Sequence, residues 1–390
     1  MRRGLMRWDQ DELPKRGLLD RRARLQAAIE RDGLDAFLIY TNLVRPSAVC
    51  WLTGFTPYWI DSLLLIAQDG SAILATALSK RVADWVRSTS CLDEIINTPR
   101  PGGAIGERLA RDNCKRVGVL ELDALPAGHY DDLIAAAAGV ELVDATEIFA
   151  GVRRFIDDTE RRLIERANQI AVAALAQVDA NEAREASVLA GRIEKHARLN
   201  AAEEAYVAVA PDLDADRRLI SSLCSAALGR RFAVRASVAY KGSWVRRTRA
   251  FARHTAGAAV IARGDAWLAQ LVSSIPADQP LNTVLAAALA RLPGADLVNW
   301  MAEASIGSYP LEVVASSRSG AANPLPAGAF AVLTVELTID GVPWLGGAPA
   351  FVTGRINERA LKNLVRAAVD YNQSKKKKKA TARTRAKVHR

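Results

Sequence analysis

The sequence predicts an α+β chain in two parts, an α/β N-terminal domain followed by a larger α+β domain rich in strands. Three observations predict it. Short apolar runs alternate with helical spacings through the first 150 residues. A helix start, Asp157-Asp158-Thr159-Glu160, follows a break at Gly151 to Asp158. Beyond that helix and a second one, strand-like segments dominate.

Within the first part, Asp20 to Asp32 carries Leu25, Ala28 and Ile29 at helical spacing and ends at Gly33. Ala36 to Tyr40 reads as a strand. Ser62 to Ala67 is another, joined through Gln68-Asp69-Gly70-Ser71 to Ala72 to Ala75 as a hairpin. Ser79 to Arg87 reads as a helix, Arg116 to Leu120 as a buried strand and Tyr130 to Ala138 as a helix. After Asp158, residues Leu163, Ala167, Ile170, Ala171, Ala174, Leu175 and Val178 give one long helix an apolar face. Glu182 to Leu199 carries a second. Strands are expected across Arg231 to Ile261, at Phe330 to Thr338 and at Ala350 to Val352, with a helix at Leu281 to Arg291. The expected organisation is a domain over 1–150, a second over 151–372 and a tail over 373–390.

Composition bounds the function. The 390 residues are 50% hydrophobic and 25% charged, which suits a globular protein and not a disordered or fibrous one. No apolar run approaches the roughly 18 to 20 residues that span a bilayer. The N-terminus turns acidic where a signal peptide would be apolar, so a cytoplasmic protein is expected. The net charge is +10, but Lys375 to Lys379, Arg383, Arg385, Lys387 and Arg390 supply nine of those charges. The first 373 residues therefore hold +1, and any contact with nucleic acid is expected only through the basic tail. The four cysteines occur singly, in neither a zinc nor a disulfide spacing.

Two segments carry a family resemblance. Gly33-Leu34-Asp35-Ala36-Phe37-Leu38-Ile39, followed by Trp51-Leu52-Thr53-Gly54-Phe55, resembles the N-terminal domain of creatinase, prolidase and aminopeptidase P. The capped, Ala-rich helix after Asp157 resembles the entry to the catalytic "pita-bread" domain of that family. The resemblance covers roughly residues 15 to 370. It implies a creatinase-type α/β N-terminal domain followed by a pita-bread α+β domain. It also implies a homodimer in which one N-terminal domain caps the other subunit's cavity, with Arg45, Trp59 and Asp61 as candidates for the cap.

The family's metallopeptidases hold two metal ions with two Asp, one His and two Glu, which activate a bridging water. The segment Arg235-Ala236-Ser237-Val238-Ala239-Tyr240-Lys241-Gly242-Ser243-Trp244-Val245-Arg246-Arg247-Thr248-Arg249 matches the family pattern in its glycine and Thr-Arg positions. Both Asp positions hold arginine, Arg235 and Arg246. A guanidinium is a permanent cation with no lone pair for a metal. By the same resemblance, Ala304 takes the place of the histidine ligand, Leu311 that of a second histidine, and no acid stands near Gly347. Only Glu336, in Val335-Glu336-Leu337, keeps a ligand position. The resemblance thus implies no metal and no cofactor. Creatinase itself works without metal, through a histidine upstream of the first Asp position. Here Pro211 to Arg218 offers only acids and arginines in that stretch.

Several readings of the remaining residues stay open. Glu336 is either a general base or a carboxylate paired with Arg235 or Arg246. The arginines either clamp a substrate anion or fill space once held by metal. Trp244, Trp300, Tyr309 and Trp344 flank these motifs and either wall a pocket for an aromatic anion or belong to the core. His254 is a weaker candidate for the cavity. Asp212, Asp214 and Asp216 lack the glycine and terminal Glu of a calcium loop and read as a solvated acidic loop. The leading expectation is a metal-independent hydrolase cleaving a C–N bond of a small carboxylated substrate. In it Glu336 is catalytic, and Arg235, Arg246, Trp244, Trp300, Tyr309, Trp344 and His254 bind substrate. The alternative is a catalytically inactive pseudo-peptidase acting as a binding or scaffold protein.

Overall fold

Alternating apolar runs and amphipathic spacings become a six-stranded mixed sheet in the N-terminal part. The computed structural model describes residues 8–57, 60–221, 226–277, 279–304, 312–318 and 324–353. These form two compact units, one of the described residues up to Phe155 and one of those from Ile156.

The first unit contains α1 (Lys15–Arg31), β1 (Ala36–Thr41), α2 (Ser47–Thr53), β2 (Ser62–Ala67), β3 (Ala72–Thr76), α3 (Ala83–Thr89), β4 (Glu94–Asn97), α4 (Pro101–Arg111), β5 (Arg116–Leu120), α5 (Ala127–Ala136), β6 (Glu141–Asp144) and α6 (Thr146–Arg153). Strand order is β4-β3-β2-β1-β5-β6, with β1 antiparallel to β2 and parallel to β5. β2 is buried along its whole length because helices cover both faces. Leu25 and Ile29 of α1, Trp51 of α2 and Phe149 of α6 pack on one face. Ile105 and Leu109 of α4 and Leu133 of α5 pack on the other.

The second unit contains α7 (Asp158–Leu175), α8 (Ala186–Leu199), β7 (Glu204–Ala210), β8 (Arg231–Tyr240), β9 (Ser243–Ala252), α9 (Thr255–Ser273), β10 (Ile275–Pro276), α10 (Leu281–Leu289), β11 (Ala295–Ala304), β12 (Glu312–Ser316), β13 (Phe330–Ile339) and β14 (Val342–Thr353). The Asp157 side chain accepts from the Glu160 amide at 2.7 Å and starts α7, as its position predicts. The main sheet runs β12-β11-β13-β14-β9-β8-β7, with β10 attached to β14. One expectation fails: the strand read as far as Ile261 stops at Ala252, and α9 begins at Thr255. Ile261, Gly264, Trp267, Leu268 and Leu271 are its buried positions, a spacing of three and four that marks a helix.

The pleat separates the two faces of this sheet. On β8, Phe232, Val234, Ala236 and Val238 pack with Ala167, Ile170 and Ala171 of α7 and Leu189 and Ile193 of α8. On β13, Leu333, Val335, Leu337 and Ile339 pack with Ile261 and Leu268 of α9 and Leu285 of α10. The alternate residues, Arg235 and Ser237 on β8 and Thr334, Glu336 and Thr338 on β13, are only partly buried and make up the opposite, open face. The basic tail and Tyr309, Leu311, Trp59 and Cys224 lie outside the described residues. Among the described residues, no helix is long and apolar enough to cross a membrane.

Candidate active site

Register places the degenerate motif residues in rows across the open face. Arg235 of β8 pairs with Thr248 of β9, Thr248 with Gly347 of β14, Gly347 with Thr334 of β13, and Thr334 with Met301 of β11. The next row along starts with Tyr206 of β7, Ser237 and Arg246, and continues two strands further with Val332 and Glu303. Directly paired residues share a face, so Arg235 and Arg246 both project from the open side.

Arg246 donates through Nη1 to Glu303 Oε1 in an ion pair. The two residues stand on β9 and β11, with β14 and β13 between them. Three strand steps are roughly 14 Å in a flat sheet, and side chains stand perpendicular to it. The sheet therefore curls toward this face, and the ion pair bridges the hollow. Glu303 is 2% exposed. Its other oxygen, Oε2, is buried with no hydrogen-bond partner, as are Arg246 Nε and Thr248 Oγ1. Such groups are costly unless something satisfies them.

Arg235 has neither a hydrogen bond nor an ion pair among the described residues, whereas Arg246 next to it is neutralised by Glu303. Burial pushes the Arg235 guanidinium below its usual pKa, the Arg246 charge pushes it further down, and Glu303 partly offsets both. It stays protonated all the same. Among the described residues, Arg235 is thus a partly buried positive charge with no direct partner.

Glu336 lies on the same open face, but not against an arginine. It accepts from Asn299 Nδ2 at 3.5 Å, and Asn299 in turn accepts from the Ser317 hydroxyl. Arg217, from the loop closed by the Val209–Ile220 bridge, donates to Thr338 Oγ1 at 2.9 Å and to the Leu337 carbonyl at 3.3 Å. An arginine thereby sits beside the strand that carries Glu336, in the stretch where the creatinase pattern has its histidine. Two of the three acids of that stretch are engaged by arginines, Asp214 by Arg231 at 3.0 and 3.1 Å and Asp216 by Arg218 at 2.8 Å, while Asp212 accepts from the Asp214 amide.

Trp244 is half-buried on the open face and stacks on Tyr206, with ring centroids 5.7 Å apart and planes within 3°. Trp344 and Trp300 do not join it. Trp344 pairs with Leu337 and Trp300 with Val335, both on the helix-covered face. Trp344 is fully buried, meets Trp267 edge-on and donates to Asp265 Oδ1 at 3.1 Å. Both indoles are core residues. His254 is exposed at the start of α9, beyond the last paired residue of β9. Motif reading missed Glu303, Asn299, Thr248 and Tyr206. Strand alternation from Arg235 and Arg246 was the available signal for Thr248, and none of the quoted motifs pointed to Glu303.

The donor set does not fit the two-metal centre of the family's peptidases. Where the resemblance expects ligands stand Arg235, Arg246 and Ala304, no acid stands near Gly347, and Glu303 is engaged by Arg246. Among the described residues, no group of three or more His, Cys, Asp or Glu comes together to hold a metal ion.

Residues 21–155 match the Creatinase/Prolidase N-terminal domain model. The chain aligns with the prolidase of Pyrococcus horikoshii OT3 at 14% identity and a TM-score of 0.65, over 86% of this chain and 96% of that one. It aligns with the X-Pro aminopeptidase of Thermotoga maritima MSB8 at 14% identity and a TM-score of 0.66, over 83% and 94% of the two chains. The dipeptidase PepE of Mycobacterium ulcerans is similar at 17% identity and a TM-score of 0.61, over 89% and 95%. No curated protein matches the sequence. The N-terminal unit is thus similar to the creatinase/prolidase N-terminal domain, and the chain as a whole has the fold of those prolidases and aminopeptidases.

Proposed function

We propose that the open face of the C-terminal sheet takes a small carboxylated molecule without a metal ion, and that the protein hydrolyses a C–N bond in it. One observation carries this reading: the Arg235 guanidinium is partly buried and, among the described residues, unpaired beside the Arg246–Glu303 pair. A charge in that state calls for a counter-anion, and guanidinium matches a carboxylate bidentately. Arg246, whose Nη1 is held by Glu303, keeps further N–H donors for a developing oxyanion. Glu336, held by Asn299 and by no arginine, is the base. It takes a proton from the attacking water and returns it to the leaving nitrogen as the C–N bond breaks. The stacked Trp244 and Tyr206 give the same face a flat apolar surface further along the sheet. The prolidases and aminopeptidases of this fold support the reaction class, and the arginine replacements support the loss of metal.

The test is calorimetric titration with acetate and N-acetylglycine, together with detection of released amine by NMR. Binding by the parent and its loss in Arg235→Gln are expected. Turnover should vanish in Glu336→Gln while binding persists. Equal binding by Arg235→Gln and the parent rules the reading out. A homodimer belongs to the same proposal, on the strength of the family resemblance, and analytical ultracentrifugation tests it.

A further inference from the structure

We infer that the carboxylate seat is a slot over Gly347, walled by the Thr248 and Thr334 hydroxyls, and that its occupant also carries an N–H group directed at Glu303. This rests on the carboxylate reading above and adds the shape of the seat and a second recognition element.

Gly347 lies in one row with Arg235, Thr248 and Thr334. Its backbone has no positive φ that would demand glycine. What sets it apart is how closely its neighbours crowd the space above its Cα. A Cβ there would stand 3.0 Å from Thr248 Oγ1, 3.1 Å from Thr248 Cβ and 3.2 Å from Thr334 Oγ1, closer than ordinary packing. Only a residue without a side chain lets the two hydroxyls face each other across it. Thr248 is 4% exposed, and its hydroxyl has no partner. The unpaired Arg235 flanks it in the same row. Two hydroxyl donors and a guanidinium in one row are the donor set for a carboxylate.

A second unmet group gives the ligand a second feature. Glu303 follows Met301, the residue of the slot row on β11, by one pleat repeat, roughly 7 Å along the strand. One Glu303 oxygen is taken by Arg246, while the other is buried without a donor. A carboxylate oxygen accepts only, so its missing partner is an N–H or O–H donor. An N–H on the ligand also places a C–N bond within the hollow, which suits the proposed reaction. The slot takes a carboxylate that carries an amide or amine nitrogen, in preference to a bare carboxylate.

Two probes separate these features. N-acetylglycine has the carboxylate and an amide N–H; N-acetylsarcosine keeps the carboxylate and replaces that hydrogen with a methyl group. Titration calorimetry on the full chain should show N-acetylglycine binding about tenfold or more tightly. Gly347→Ala and Thr248→Val should each weaken both probes by roughly tenfold. Thr248→Val should also melt at or above the parent temperature, because it removes a buried, unsatisfied hydroxyl. A purely structural threonine would lose stability instead. Equal affinity for the two probes overturns the role of Glu303. Unchanged binding by both Gly347→Ala and Thr248→Val, with loss in Arg235→Gln, overturns the slot but leaves the carboxylate site standing. Failure of the parent to bind either probe at tens of millimolar overturns both.

Discussion

The Arg246–Glu303 pair bridges the curled sheet, and a double-mutant cycle measures how much it holds. Glu303 is 2% exposed, whereas the Arg246 side chain keeps 20% of its surface. Breaking a fully buried pair by removing one partner costs about 3 to 5 kcal/mol, and partial exposure of the arginine argues for about 3 kcal/mol. Glu303→Ala should pay that in full, because it strands Arg246 beside the already unpaired Arg235. Replacing both partners, by Glu303→Ala with Arg246→Met, should cost less than the sum of the single changes, with a coupling of about 2 kcal/mol. In a unit of about 200 residues, a loss of about 3 kcal/mol lowers the melting temperature by roughly 6 to 12 °C. Differential scanning calorimetry reads this, with the fitted transition followed through all four proteins. Additive losses would mean that the pair is a surface decoration and that the curl has another cause.

Three further outcomes follow from the same packing. Trp344→Ala should destabilise the C-terminal unit by about 3 to 5 kcal/mol, while Trp344→Phe, which keeps the ring and loses the bond to Asp265, should cost less and leave probe binding unchanged. His254→Ala should change stability by less than about 0.5 kcal/mol and leave binding unchanged; a clear loss of binding would return His254 to the site. Glu203 is half-buried against the β8–β9 turn, accepting from the Gly242 amide at 2.9 Å, with Oε1 buried and unpartnered among the described residues. Burial raises its pKa, so the folded protein favours the protonated form. The stability it contributes is complete below the unfolded pKa and is lost as pH rises through the folded value. Glu203→Gln should therefore gain on the parent from about pH 4 upward, and urea titrations at several pH values would show no such gain if the carboxyl were well solvated.

Elements with strong local signals were readable in the sequence: the capped start of α7, the Gly70 hairpin and the apolar β1, β2 and β5. The fold followed from the family resemblance joined to those elements. Side-chain direction was harder. Trp344 and Glu336 were placed together because their motifs are neighbours, yet the pleat sends them to opposite faces. That parity was available, since Asp340-Gly341 is a two-residue turn, with φ of 50° and 78°, that sets Ile339 opposite Val342 and hence Trp344 opposite Leu337. The Glu303 contact was not available in this way. It depends on a curl summed over four strands, and no local pattern encodes which acid at the far edge meets Arg246. Helix α9 was misread because its valine and isoleucine suit a strand, while its packing against β14 selects the helix.

Equilibrium dialysis of the parent protein against manganese, cobalt or zinc, followed by metal analysis, tests the arginine-for-ligand exchange most directly. Cationic side chains at the Arg235 and Arg246 positions predict less than one ion per chain and no difference between the parent and Glu336→Gln. Two ions per chain, lost together in Glu336→Gln, would contradict it.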